Sequence, residues 1–119
     1  MEIKTHQIGD RTIAEVASED IEITIAQDAL DLMAECRYVG ADAMILKAEN
    51  FTPEFFDLKT RVAGEILQKY SNYHFKLAII GDFSQYESDS LQRFIRESNR
   101  AGHINFVSSL QEGLERLAG

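Results

Sequence analysis

The sequence predicts an α/β fold, in which helices cover a mixed, mostly parallel sheet of four to five strands. Short apolar runs alternate with longer segments of helical periodicity, the pattern of strands joined by crossover helices. Only Gly9 and Asp10 separate the first two strands, so these are expected to form a hairpin at an antiparallel edge. A chain of 119 residues suits one core, and we expect a single domain over residues 1–119.

The first half of the chain predicts a hairpin, a helix and a buried strand. After the hairpin, "TIAQDALDLMAECRYVG" places apolar residues at helical intervals. Thr24 and Gln27 have capping-box spacing at its start, and Gly40 is expected to end it. The next segment, Ala43–Lys47, is short and apolar at its centre, which is typical of a buried strand.

The second half repeats the alternation. A long amphipathic helix is expected from Asp57 or slightly earlier, within "DLKTRVAGEILQKYSNY". The run "HFKLAIIGDF" predicts an interior strand that ends at Gly81, and Ser88 or Asp89 could cap the helix that follows. A last strand, "INFVSS", and a last helix, "SLQEGLERLAG", complete the order ββαβαβαβα.

Composition excludes several functions. Twenty acidic residues against twelve basic ones give a formal charge of -8, which disfavours nucleic acid as a partner. No apolar run approaches the roughly 20 residues of a membrane span, so no membrane association is expected. The start, "MEIKTHQIGD", lacks the pattern of a secretory signal, and a cytoplasmic protein is expected. The single Cys36 excludes an internal disulfide and is expected to be a buried apolar residue.

No pattern of catalytic, metal-binding or cofactor-binding residues is present. His6, His74 and His103 lack the spacing of metal ligands, and no glycine pattern suits a nucleotide. We therefore predict no metal and no cofactor. The balance favours a protein that is not an enzyme.

Two resemblances add to this picture. The last third, "KLAIIGDFSQYESDSLQRFIRESNRAGHINFVSSLQEGLERLAG", resembles the STAS domain of bacterial anti-sigma-factor antagonists, which implies a STAS-like fold and a regulatory role. The segments "FFDLKT", "AGEILQK", "SNY" and "GHINFVSS" are similar to a bacterial family named domain of unknown function 4180, which implies no particular activity.

The STAS resemblance directs attention to "ENFTPEFFDLKT", residues 49–60. In that family the corresponding loop carries a serine that a partner kinase phosphorylates, but here Lys59 occupies its place, so that switch is not expected. Thr52 and Thr60 remain as candidate phosphorylation sites. Thr52 also has an ordinary structural interpretation, in which it caps a helix with Pro53 in the first position and Glu54 in the first turn.

The paired phenylalanines of this connector suggest a partner surface. On a helix Phe55 and Phe56 would point about 100° apart, so one ring could fill the core while the other stays near the surface; burial of both is the alternative. The leading hypothesis is a regulatory domain that binds an unidentified protein, or a second copy of itself, near residues 52–60. The residues expected to form this surface are Thr52, Glu54, Phe55, Phe56, Asp57, Lys59 and Thr60.

A second hypothesis places a small-molecule site or an undetected enzyme at the carboxyl edge of the sheet. Asp82 follows an interior strand, and ligands commonly bind where parallel strands end. Asp57, Lys59 and Asp82 could converge there on a small polar ligand. An aspartate that follows a strand ending in glycine is more often a turn or cap residue, which is the structural alternative for Asp82.

Overall fold

A computed structural model describes residues 1–119 and contains a five-stranded sheet and four α-helices. The predicted α/β class, the element order and the antiparallel edge are confirmed. The elements are β1 (Glu2–Ile8), β2 (Arg11–Ala17), α1 (Ala26–Tyr38), β3 (Ala43–Lys47), α2 (Val62–Asn72), β4 (Lys76–Ile80), α3 (Asp89–Ala101), β5 (Ile104–Val107) and α4 (Leu110–Ala118). None of these helices has both the length and the apolar character that crossing a bilayer demands.

The strands lie in the sheet in the same order as in the chain. β1 pairs antiparallel with β2, and all later pairs are parallel. Since each crossover moves one position in the same direction and is right-handed, α1, α2 and α3 all lie on one face. α4 follows the last strand and packs on the opposite face. The larger core therefore lies beneath three helices and the smaller one beneath α4.

Tyr70 and Cys36 occupy the larger core between α1 and α2. The Tyr70 hydroxyl donates a hydrogen bond of 2.7 Å to the Ala29 carbonyl, which ties α2 to α1, and burial raises the pKa of this phenol. Cys36 is fully buried, as predicted, with its Sγ 3.8 Å from the Met44 sulfur. Burial, aided by the charge of Glu35, raises the pKa of the thiol to about 12, so Cys36 behaves as an apolar residue.

The ends of α3 agree with the sequence, whereas the starts of α1 and α2 do not. Ser88 caps α3 by accepting from the Leu91 N–H at 3.2 Å, and Gly102 ends that helix in the left-handed region. At α1 the predicted box of Thr24 and Gln27 is wrong. The Asp28 carboxylate instead accepts from the N–H groups of Thr24 and its neighbour, at 2.9 and 3.1 Å.

The predicted start of α2 at Asp57 is also wrong, because the helix begins at Val62. Residues 53–60 form two short 3-10 turns. The Thr60 hydroxyl lies 2.6 Å from the Glu54 carbonyl and 2.8 Å from that of Asp57, so a side chain takes the place of helical backbone bonding. Arg61 then adopts φ +69°, a left-handed conformation that separates the turns from the helix.

Candidate functional site

Three loops meet at the carboxyl edge of the sheet, because strands β2, β3 and β4 all end there. These loops are residues 18–25, 48–61 and 81–88. Asn50, which is fully buried, joins the first two. Its amide nitrogen donates to the carbonyls of Ser18 and Asp20 at 3.0 and 2.9 Å, and its amide oxygen accepts from the Lys47 N–H at 3.0 Å. The adjoining backbone forms an isolated parallel bridge between Ile23 and Phe51, so backbone and side-chain bonds both join the two loops.

Aromatic rings fill the space beneath these loops. Phe55 is fully buried and contacts Phe51 and Phe56, with ring centroids 4.7 and 4.9 Å apart. Phe56 is half-buried and stacks on Tyr86 from the third loop, at 5.0 Å and an interplanar angle of 15°. The rings therefore connect the second loop to the third, with Phe55 toward the core and Phe56 at its margin.

A cleft of about 440 Å³ opens between the loops at the ends of β3 and β4. Ile21, Phe56 and Tyr86 contribute apolar walls, and Glu49 and Asp82 are the charged residues in its lining. No lysine, arginine or histidine lines it. The volume falls within the range of small-ligand sites, which is about 300–1,000 Å³.

Position 81 lines the cleft and must be glycine, because neighbouring side chains lie very close to its backbone. A Cβ there would lie 2.9 Å from the Ala48 Cβ and 3.0 Å from a ring carbon of Phe83. Since real Cβ contacts are not this short, any side chain would push the β3 and β4 loops apart. Gly81 thus sets the width of the cleft.

The carboxyl edge is strongly acidic. The three loops carry eight carboxylates and two basic side chains, whereas the turns at the opposite edge carry two carboxylates and no lysine or arginine. The acidic residues are Glu19, Asp20, Glu22, Glu49, Glu54, Asp57, Asp82 and Glu87, and the basic ones are Lys59 and Arg61. Most of the negative charge of the chain outside its helices and strands therefore lies at the carboxyl edge, and Glu49 and Asp82 are the two of these carboxylates that line the cleft.

The structure places the residues of the 52–60 loop at very different depths. Glu54, Asp57 and Lys59 are exposed, while Phe55 is fully buried. Asp57 accepts from the Lys59 N–H at 3.2 Å, which shapes the turn between them. Phe56, which is half-buried, is the ring that reaches the surface.

The two candidate phosphorylation sites are engaged within the loop. Thr52 is 5% exposed, and its hydroxyl donates to the Glu54 carboxylate rather than capping a helix. This bond lowers the pKa of Glu54. Thr60 is half-buried with its hydroxyl beside two carbonyls. Because Thr52 is buried, a kinase would reach its hydroxyl only after the loop opens.

Asp82 lines the cleft, but Asp57 and Lys59 do not. Asp82 also shapes its own turn, because its carboxylate accepts from the hydroxyl and the N–H of Ser84 at 2.5 and 3.1 Å. These bonds lower the pKa of Asp82, which favours the charged form at the mouth of the cleft. The three residues of the second hypothesis are therefore not gathered in one cleft.

Sequence reasoning missed three residues that build the site: Asn50, Gly81 and Tyr86. The first joins loops that are 30 and more residues apart in the chain, and no local pattern announces such bonds. Gly81 was identified only as the end of a strand. Tyr86 is the one aromatic residue in the polar segment "SQYES". An isolated aromatic residue in a polar loop suggests that its ring packs against another part of the chain, and this signal could have identified it.

The comparisons with known proteins identify a family. No curated protein and no solved structure matches the chain. The family model described as "Domain of unknown function (DUF4180)" matches residues 8–117, which include all of the elements except most of β1 and the end of α4. The chain therefore belongs to the DUF4180 family.

Proposed function

We propose that this chain is a non-enzymatic regulatory domain with a STAS-like fold, which binds a partner protein at the carboxyl edge of its sheet. The binding surface consists of the exposed part of the 52–60 loop and the adjoining cleft, and we refer to it as the carboxyl-edge surface. The order ββαβαβαβα supports the STAS-like assignment. The observation that carries the binding proposal is an acidic, aromatic cleft lined by no basic side chain.

The chemistry of this surface defines the partner segment. Aromatic walls favour an apolar or planar side chain, and arginine stacks well on rings such as Phe56 and Tyr86. The carboxylates of Glu49 and Asp82 would pair with the cationic groups of the same segment. We therefore expect a basic segment that presents at least one apolar or arginine anchor.

The loop is also shaped in advance for binding. Bonds from Thr60 and Asn50 hold its backbone, so little conformational entropy has to be lost when a partner docks. Glu54 and Lys59 remain exposed at the rim, where charges influence the rate and specificity of association.

Affinity capture tests the proposal. The chain is immobilised, proteins are captured from a lysate of the source organism, and a recovered protein is then titrated against charge-reversal variants. Glu49→Lys combined with Asp82→Lys should weaken binding at least about tenfold, because two favourable charge contacts become repulsive. Glu97→Lys, an exposed change on α3, is the matched control and should bind like the parent chain.

Phe55→Ala is unsuitable as the diagnostic variant, because Phe55 is fully buried and its loss would unfold or loosen the loop. Lys59→Glu, an exposed change, tests the rim alone. Salt should weaken the captured complex, since the proposed contacts are ionic. Capture that is unaffected by both the double reversal and salt would contradict the proposed surface.

The cleft itself favours a second candidate function, the binding of a small apolar cation. A ligand of this kind would use the same aromatic walls and the carboxylate of Asp82. Titration of the chain with aromatic and aliphatic amines, followed by NMR of the Tyr86 ring, distinguishes the two candidates. Saturable shifts in the absence of any protein partner would support the small ligand.

A further inference from the structure

The two edges of the sheet are finished in different ways. At the β5 edge, Asn99 of α3 acts in place of a neighbouring strand. Its side-chain oxygen accepts from the Phe106 N–H at 2.7 Å, and its nitrogen donates to the Phe106 carbonyl at 3.2 Å. The outward backbone groups of Phe106 are therefore already bonded and unavailable to another strand.

The β1 edge has no such cover. In the β1–β2 ladder, Gln7 lies opposite Thr12, and the Thr12 carbonyl is bonded to the Asp42 N–H at 2.9 Å, on the side away from β1. Gln7 and Thr12 therefore form a pair without mutual hydrogen bonds. Because such pairs alternate along the ladder, the backbone N–H and C=O groups of Ile3, Thr5 and Gln7 point away from β2. β1 has seven residues and contains neither proline nor a bulge, so its edge is free to pair.

The charges next to this edge are arranged for self-pairing. Glu2 and Lys4 are both exposed and lie on the same face of the strand. Lys4 forms no ion pair, because Glu15, which lies opposite it on β2, is bonded to His6 at 2.8 Å. A free cation and a free carboxylate therefore stand two residues apart on an open strand.

We propose that two copies of this chain associate through their β1 strands, which pair antiparallel about a twofold axis at Ile3. In this register Glu2 of each copy lies opposite Lys4 of the other, which forms two cross-strand ion pairs. Ile3, whose side chain packs against the larger core, would meet its own copy and extend that core across the edge.

Charge selects this register over its neighbours. An axis at Lys4 would place two lysines directly opposite each other, which is destabilising. An axis at Thr5 would place Lys4 opposite His6, a residue already bonded to Glu15. Of these three registers, the axis at Ile3 is the one that sets Glu2 opposite Lys4. It is independent of the carboxyl-edge surface and holds even if that surface binds nothing.

Charge-swapped variants test the register. Sedimentation velocity from micromolar to millimolar concentration should show reversible dimerisation of the parent chain. Glu2→Lys alone or Lys4→Glu alone should raise the dissociation constant about tenfold, because two attractive pairs become repulsive. Mixing the two variants should restore association as a heterodimer, and Glu97→Lys should leave it unchanged. All three positions are exposed, so folding is preserved.

Amide exchange supplies a second measurement. The outward Ile3 N–H should exchange more slowly as concentration rises, whereas the Lys4 N–H, already bonded to β2, should not change with concentration. A parent chain that stays monomeric at millimolar concentration would overturn the proposal. So would single variants that dimerise like the parent, or a mixture that gives no heterodimer.

Discussion

Replacing Asn50 with alanine should destabilise the protein more than the small size of the asparagine side chain suggests. The side chain makes three hydrogen bonds while fully buried, and each is worth about 0.5–1.5 kcal/mol net. Asn50→Ala should therefore lower the free energy of unfolding by about 2–4 kcal/mol, because the Lys47 N–H and two carbonyls lose their partner. Urea titration followed by circular dichroism measures the change. Asn72→Ala, an exposed change at the end of α2, should cost no more than about 0.5 kcal/mol.

Asn50→Asp tests the acceptor and donor functions of this side chain separately. The aspartate keeps an acceptor for Lys47 but sets a carboxylate oxygen against the carbonyls of Ser18 and Asp20. It should be less stable than Asn50→Ala at neutral pH and should recover on acidification, when a protonated carboxyl can donate one bond. If Asn50→Ala costs less than about 0.5 kcal/mol, Asn50 does not clamp the loops as we argue.

Three further changes test other parts of the structure. Gly81→Ala should cost about 1–3 kcal/mol in urea titrations, because its Cβ would lie 2.9 Å from that of Ala48; an unchanged midpoint would show that the loops yield freely. Tyr70→Phe should cost about 1 kcal/mol through the lost hydroxyl bond and leave the fold intact, as measured by thermal melting. Bonds from the N–H and hydroxyl of Ser108 lower the pKa of Glu112 in the folded protein from its ordinary value of 4.5. The stability that the charged Glu112 adds is therefore fully present above pH 4.5 and is lost as the pH falls through the lowered pKa of the folded state. The melting temperatures of the parent and Glu112→Gln should therefore differ near neutrality and converge in acid; a constant difference would contradict the assignment.

The fold was predictable because its signals are local and repeated. The strand Ala43–Lys47 has the bounds that its apolar run suggests, and the Ser88 cap and Gly102 exit of α3 lie where their residue types predict. The errors occur where a side chain competes with the backbone. Apolar periodicity continues through Asp57, but the Thr60 hydroxyl and the left-handed Arg61 delay α2 until after them.

The candidate site was predictable only in part, because the position of a residue in the sequence says little about how deeply its side chain is buried. Helical geometry allowed one ring of Phe55 and Phe56 to be buried and the other to stay near the surface, but it left open which one and whether both are buried, and the segment is a 3-10 turn. The cleft needs Ile21 and Tyr86 from two other loops, and their meeting depends on the sheet register. No spacing within the sequence expresses that register.

The strand order explains why the cleft is built from loops. In parallel sheets whose strand order reverses, adjacent crossovers leave on opposite faces and a crevice opens between them. Here the order never reverses, so α1, α2 and α3 share one face and leave no such crevice. The cleft at the carboxyl edge is instead shaped by the loops themselves, through the Asn50 clamp, the stack of Phe56 on Tyr86 and the close approach at Gly81. Mutations at Asn50 or Gly81 should therefore impair the binding proposed at this edge, although Asn50 is not among the residues that line the cleft.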